Sequence, residues 1–271
     1  MDWNSVYSAR TLTLPDYVHK RIVFTGDAAH LLPIFGVRGA NTAFQDAQSL
    51  GWHLAYVVKG HAPEQLMQNH SAERVGAARE IITEAGKSTR FMAPPSRGFR
   101  LLRDAVLSLS LTQEFVRPLY HWRTSRPHAY SHSLLNSPCD DNALFTDGPG
   151  LGAPPQNVQL QTDSYLLDYL GGGFDLVYVA DAQGLPPAIS QAVVTLQRQG
   201  VPLKLTAISA EAKHIEGAQQ TLHDPQQRFA ERYAVQAGGA YLFRPDQHIC
   251  ARWHKLDAAR LLQSLQVALM Q

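Results

Sequence analysis

Apolar and polar positions along the chain change period part-way through. From Asn41, the residues Ala43, Phe44, Ala47, Leu50, Leu54, Ala55 and Val58 recur at helical spacing, which predicts a helix with Asn41 as N-cap and Gly60 as stop. A second helix is predicted from Pro63, through Leu66, Met67, Val75, Ala78, Ile81 and Ile82, towards Ser88. A third runs from about Phe99 to Tyr120, with a break near Ser110. Ahead of them, Val6, Leu12 and Leu14 alternate as in extended chain, and Pro15-Asp16 marks a turn. The apolar run Arg21 to Thr25 reads as a short, central and buried strand.

Residues 121–157 lose this periodicity and are rich in Pro, Gly, Ser and Asp, as in a connector, with the domain break near Gly148 to Pro155. Beyond it the pattern alternates. Strands are predicted at Asn157–Leu160, Phe174–Ala180 and Val201–Ile208, and helices around Tyr165–Leu170, Ala188–Gln199 and Pro225–Gln236. Ala240–Arg244 and His248–Trp253 flank Pro245-Asp246 as a hairpin, and Asp257–Met270 is an amphipathic helix. Strand–helix alternation closed by a hairpin and a helix is the order of a thioredoxin-like fold. The chain is therefore read as α/β, with a mostly helical part over 1–122, a linker over 123–154 and a thioredoxin-like domain over 155–271.

Composition narrows the function classes. With 45% apolar and 17% charged residues and a net charge of +1, nothing points to a nucleic-acid partner or a polybasic membrane patch. No apolar run is long enough for a membrane span and no signal peptide opens the chain, so a cytoplasmic protein is expected. Cys139 and Cys250 are far apart and form no CxxC, which argues against a dithiol redox site or a zinc knuckle. His121, His128 and His132 have loose metal-like spacing without a completing Cys or carboxylate, and no metal is expected. Gly-x-Ser-x-Gly is absent, so the α/β-hydrolase motif is missing.

The candidate chemistry lies in residues 21–59, where a strand runs into Gly26-Asp27, a Gly- and Pro-containing loop follows, and a helix opens near Asn41. Unpaired N–H groups and the positive end of the helix dipole converge there, which suits an anionic or electron-rich ligand. Asp27 has the chemistry to accept two hydrogen bonds from a diol, or to serve as an ordinary turn aspartate. Gly36 and Gly39 allow close backbone approach to a planar ligand. Arg38 brings positive charge, unless it is simply a surface arginine, and His30 reads as structural.

Taken together, Gly26-Asp27-Ala28-Ala29-His30, Pro33, Phe35-Gly36, Gly39, Asn41 and Asp46-Ala47 resemble the second FAD-binding motif of the flavoprotein aromatic hydroxylases, the para-hydroxybenzoate and phenol hydroxylase group. Leu50-Gly51-Trp52-His53-Leu54-Ala55 resembles that family's L-A-W-K-L-A helix, and Glu73-Arg74 its Y-x-x-E-R helix, with His70 at the tyrosine. The segment Phe243-Arg244-Pro245-Asp246 through Ala251-Arg252-Trp253 resembles the R-P-D-x-x-V-A-x-R-W hairpin of the thioredoxin-like C-terminal domain of larger members. Ile34, Val37 and Ala40 depart from the usual proline, glycine and leucine.

The resemblance implies that Asp27 binds the flavin ribityl hydroxyls, and that the backbone around Gly39, Ala40 and Asn41 holds the pyrimidine edge of the isoalloxazine. It implies that Arg38 and the helix dipole stabilise negative charge at the N1/O2 edge. It also places Pro33 and Gly36 among the cofactor-binding residues. The implied activity is an FAD-dependent, NAD(P)H-using hydroxylation of a phenolic ring through a flavin C4a-hydroperoxide. The family's G-x-G-x-x-G unit, which binds the ADP part of FAD, and its substrate-lining sheet are not in this sequence. The chain alone is therefore expected to be incomplete and inactive, and to act with a separate N-terminal FAD-binding chain or the missing N-terminal half, or as a homodimer. The alternative is a non-catalytic thioredoxin-like interaction or oligomerisation module with a relic flavin motif.

Overall fold

The computed structural model describes residues 4, 10–34, 38–120, 127–137 and 140–271. Val6, Phe35, Gly36, Val37, His121 and Cys139, all named in the sequence analysis, lie outside the described residues. Two compact units share the chain: one takes residues 1–51 and 70–128, the other 52–69 and 129–271.

The first unit begins with four two-residue strands: β1 (Leu12–Thr13), β2 (Val18–His19), β3 (Ile22–Val23) and β4 (His30–Leu31). They form two antiparallel pairs, β1 with β4 and β2 with β3. This corrects the expectation of a central, buried strand over residues 21–25. A buried strand needs a neighbour on each edge; Ile22–Val23 pairs only with β2 among the described residues, and Ile22 is 59% exposed.

Helices α1 (Gly39–Val58), α2 (Leu66–Met92) and α3 (Arg97–Leu109) follow. Helix α1 starts two residues earlier than its pattern implies. Thr42 N–H donates to the Arg38 carbonyl, so Asn41 lies within the first turn and is not the N-cap. Gly60, at φ +73°, ends the segment as expected, and α3 closes at Ser110, where the break was read. A small core of Tyr17, Ala29, Val75 and Ala78 joins the strand region to α2.

The second unit contains a small pair, β5 (Gln159–Gln161) with β6 (Ser164–Tyr165), and a five-stranded sheet. That sheet is built from β7 (Phe174–Val179), β8 (Leu203–Ser209), β9 (Gln220–His223), β10 (Ala240–Phe243) and β11 (Ile249–Trp253), in the order β11-β10-β7-β8-β9. Helices α4 (Pro187–Arg198), α5 (Arg228–Tyr233) and α6 (Ala258–Ala268) complete it. β7, β8 and β9 are parallel, while β10 and β11 are antiparallel, which is the thioredoxin-like arrangement.

β7 is buried along its whole length, because each face is covered. Leu176 and Tyr178 pack in one layer with Ile189, Leu261 and Leu265, while Val177 and Val179 pack in the other with Phe229 and Tyr233. β9 is absent from the sequence reading. Its single buried apolar residue, Leu222, makes no period, and only pairing with β8 defines the strand.

Within the Pro- and Gly-rich stretch the described residues include one short 3-10 helix, Asp140–Leu144, and those from 129 onwards are fastened to the second unit. Ser137 N–H donates to the Cys250 carbonyl (2.7 Å), Gly152 N–H to Ile249 (2.7 Å), and Tyr130 N–H to Gly152 (2.8 Å). Gly152, at φ +74°, sits where a Cβ would come within 2.2 Å of the Tyr130 backbone, so a side chain has no room there.

Asp257 caps α6 by accepting from Arg260 N–H at 2.8 Å. Asp257→Ala should lower the stability of the second unit by about 1 kcal/mol, read as a shift in its urea midpoint. An unchanged midpoint would mean that the cap is dispensable.

Candidate functional site

The Gly26–Ala28 turn is a single 3-10 turn entered through Gly26 at φ +58°. A Cβ at Gly26 would lie 3.5 Å from that of Ala43, so the turn abuts the early turns of α1. Asp27 is exposed and makes no hydrogen bond within the described residues. The first turn of α1 holds Gly39, Ala40 and Asn41. Ala40 and Asn41 are exposed, and a Cβ added at Gly39 would meet no atom within 4 Å. Arg38, half-buried, immediately precedes the helix, and Pro33 is buried.

Behind this surface lies a buried ionic cluster. Asp46 Oδ2 accepts from Gly26 N–H (3.2 Å) and from His30 Nε2 (2.6 Å), and its Oδ1 accepts from Arg74 Nε (2.6 Å). Arg74 also donates from Nη2 to the Thr42 carbonyl at 3.2 Å. Burial alone would push the Asp46 carboxyl up, but the His30 hydrogen bond and the Arg74 charge hold it below the ordinary carboxylate range. His30 is thus structural, as read, while Asp46 and Arg74 had no role assigned from sequence. The available signal was their place in the quoted motifs, Asp46-Ala47 and Glu73-Arg74. His70, at the family's tyrosine, places Nδ1 2.9 Å from Ser49 Oγ.

The hairpin motif of the second unit has an equally defined geometry. Arg244, fully buried, donates from Nε to Asp246 Oδ1 (3.0 Å) and from Nη2 to Oδ2 (2.6 Å). Its guanidinium lies 5.4 Å from the Trp52 ring centre and 5.3 Å from that of Tyr130, and Trp52 Nε1 donates to Asp246 Oδ2 at 2.9 Å. Burial would raise the Asp246 carboxyl, but the Arg244 charge and His248 hold it well below the usual range. Arg252 donates to Asn142 Oδ1 (2.7 Å) and to the Pro149 carbonyl (3.0 Å). These residues hold the unit together and expose no reactive group. Among the described residues, no three His, Cys, Asp or Glu side chains converge as a metal site, and no helix is long and apolar enough to cross a membrane.

Residues 1–85 match the family model described as an FAD binding domain. The chain is similar to FAD-dependent aromatic hydroxylases over part of their length. It is 35% identical over 170 residues to a 3-(3-hydroxy-phenyl)propionate/3-hydroxycinnamic acid hydroxylase of Mycolicibacterium smegmatis, covering 62% of this chain and 30% of that protein. It is 30% identical over 257 residues to a 4-methyl-5-nitrocatechol 5-monooxygenase of a Burkholderia species, covering 92% of this chain and 43% of the relative. Among solved structures, a ternary complex of aklavinone-11 hydroxylase with FAD and aklavinone shares the fold at a TM-score of 0.69 and 22% identity, over 98% of this chain and 46% of that one. The chain thus spans less than half the length of the relatives it matches.

Proposed function

We propose that this chain is the C-terminal portion of an FAD-dependent, NAD(P)H-using monooxygenase that hydroxylates a phenolic aromatic ring, and that residues 26–41 hold the ribityl and isoalloxazine part of the flavin. The observation that carries the reading is the exposed Asp27 carboxylate, unbonded among the described residues, on a turn that abuts the early turns of α1. A ribityl chain offers hydroxyl donors and the pyrimidine edge of a flavin offers acceptors, so this acceptor-and-donor set fits the group.

In this reading Asp27 accepts from the ribityl hydroxyls. N–H groups around Gly39, Ala40 and Asn41 face the pyrimidine edge. Arg38 and the N-terminal end of α1 favour negative charge there. The flavin, when bound, supplies the oxygen activation; one atom of O2 enters the ring and the other leaves as water, with NAD(P)H providing two electrons.

The remainder of the flavin site and the substrate pocket would come from a further segment or chain.

Titration of the purified chain with FAD, followed by visible absorption and flavin fluorescence, tests the reading. Saturable binding is expected, and Asp27→Ala should weaken it about tenfold or more. Absence of binding, alone and with a polypeptide carrying the complementary G-x-G-x-x-G unit, would overturn it.

A further inference from the structure

Asp46 is not at the surface that faces a ligand, yet its carboxylate, 1% exposed, takes donors from three separate places in the first unit. Two of them, the Gly26 N–H and the His30 imidazole, bracket the turn Gly26–His30. Between them Asp27 is left outward and unbonded. The third, Arg74, supplies the charge that allows a carboxylate to remain this deep, and it ties the same helix through the Thr42 carbonyl. Packing alone would be met by an apolar residue at position 46. A carboxylate that grips one residue by its backbone and another four positions on by its side chain fixes the turn itself.

We propose that Asp46 is a positioning residue for the flavin site: it clamps both ends of the Gly26–His30 turn to α1 and so holds Asp27 at the first turn of that helix. The inference rests on the flavin reading above. Asp46 touches no cofactor; it acts through the turn that carries Asp27, which begins at Gly26 with φ +58°.

Riboflavin is the appropriate probe, since it carries the ribityl chain and ring without the ADP part. Because Asp46→Asn alone strands the Arg74 charge and risks unfolding the unit, the main variant is the pair Asp46→Asn with Arg74→Met, compared with Asp27→Ala and the unaltered chain. The pair variant should bind riboflavin about 10- to 100-fold more weakly while its β7 and β8 amides keep their exchange rates. Its Gly26 amide should exchange with solvent about tenfold faster or more. If the pair variant binds within about twofold of the unaltered chain while Asp27→Ala does not, the positioning role is overturned and the flavin reading stands. Equal Gly26 exchange rates in the two proteins would also overturn the clamp. If the unaltered chain binds neither riboflavin nor FAD, alone or with the complementary G-x-G-x-x-G polypeptide, the flavin reading fails and this inference falls with it.

Discussion

Replacing Arg244 by methionine will destabilise the second unit by about 3–5 kcal/mol, a large part of the roughly 5–15 kcal/mol that holds a domain together. The guanidinium is fully buried, pairs with both oxygens of Asp246, and lies against the rings of Trp52 and Tyr130. Its removal strands a carboxylate that is 6% exposed, with only Trp52 Nε1 and His248 left to stabilise it. The companion change Arg244→Met with Asp246→Leu should recover much of the loss, because a neutral pair of similar bulk carries no stranded charge.

The pH dependence follows from the direction of the Asp246 shift. Its carboxyl in the folded protein lies well below the ordinary value, so the unfolded chain takes up the proton first as pH falls. Its contribution is therefore full above the unfolded pKa and is lost only as pH drops through the lower, folded value. In Arg244→Met the balance tips to burial, which raises the carboxyl, and protonation then relieves the folded state. The difference in urea midpoint between variant and parent should narrow between about pH 7 and about pH 4. A difference that stays constant over that range would refute the stranded-charge explanation.

The second large effect is expected at Arg74. Arg74→Met removes the cation beside Asp46 and leaves that carboxylate 1% exposed with one imidazole and one amide N–H. A loss of about 3 kcal/mol from the first unit is expected, visible as faster amide exchange around Tyr17, Ala29 and Val75, whose small core offers little to offset it. Without Arg74 the Asp46 carboxyl should rise, since that charge is among the causes that hold it down. Unaltered exchange at those amides would show that the cluster contributes little to the unit's stability.

Much of this molecule was legible from local pattern. The spacing of Ala43, Ala47, Leu50 and Leu54 announced α1, the continuous apolar run after Phe174 announced the central strand β7, and Pro245-Asp246 announced the hairpin between β10 and β11. Each of these is set by a period or a turn within a few residues. The run at residues 21–25 was misread because a short apolar stretch says nothing about how many neighbours it will have. Ile22 and Phe24 remain exposed here. β9 was missed because one buried leucine makes no period, and only β8 beside it defines the strand.

By itself the sequence determined α1, β7 and the β10–β11 hairpin, the order of the thioredoxin-like domain, and the motif that sets Asp27 ahead of a helix start. Tertiary structure decided what the motif's other members do. Asp46 reaches Arg74 across 28 positions, and Trp52 reaches Asp246 across 194. A buried charge has meaning only through the partners that replace water around it, and partners this far apart in the chain are brought together by the fold alone.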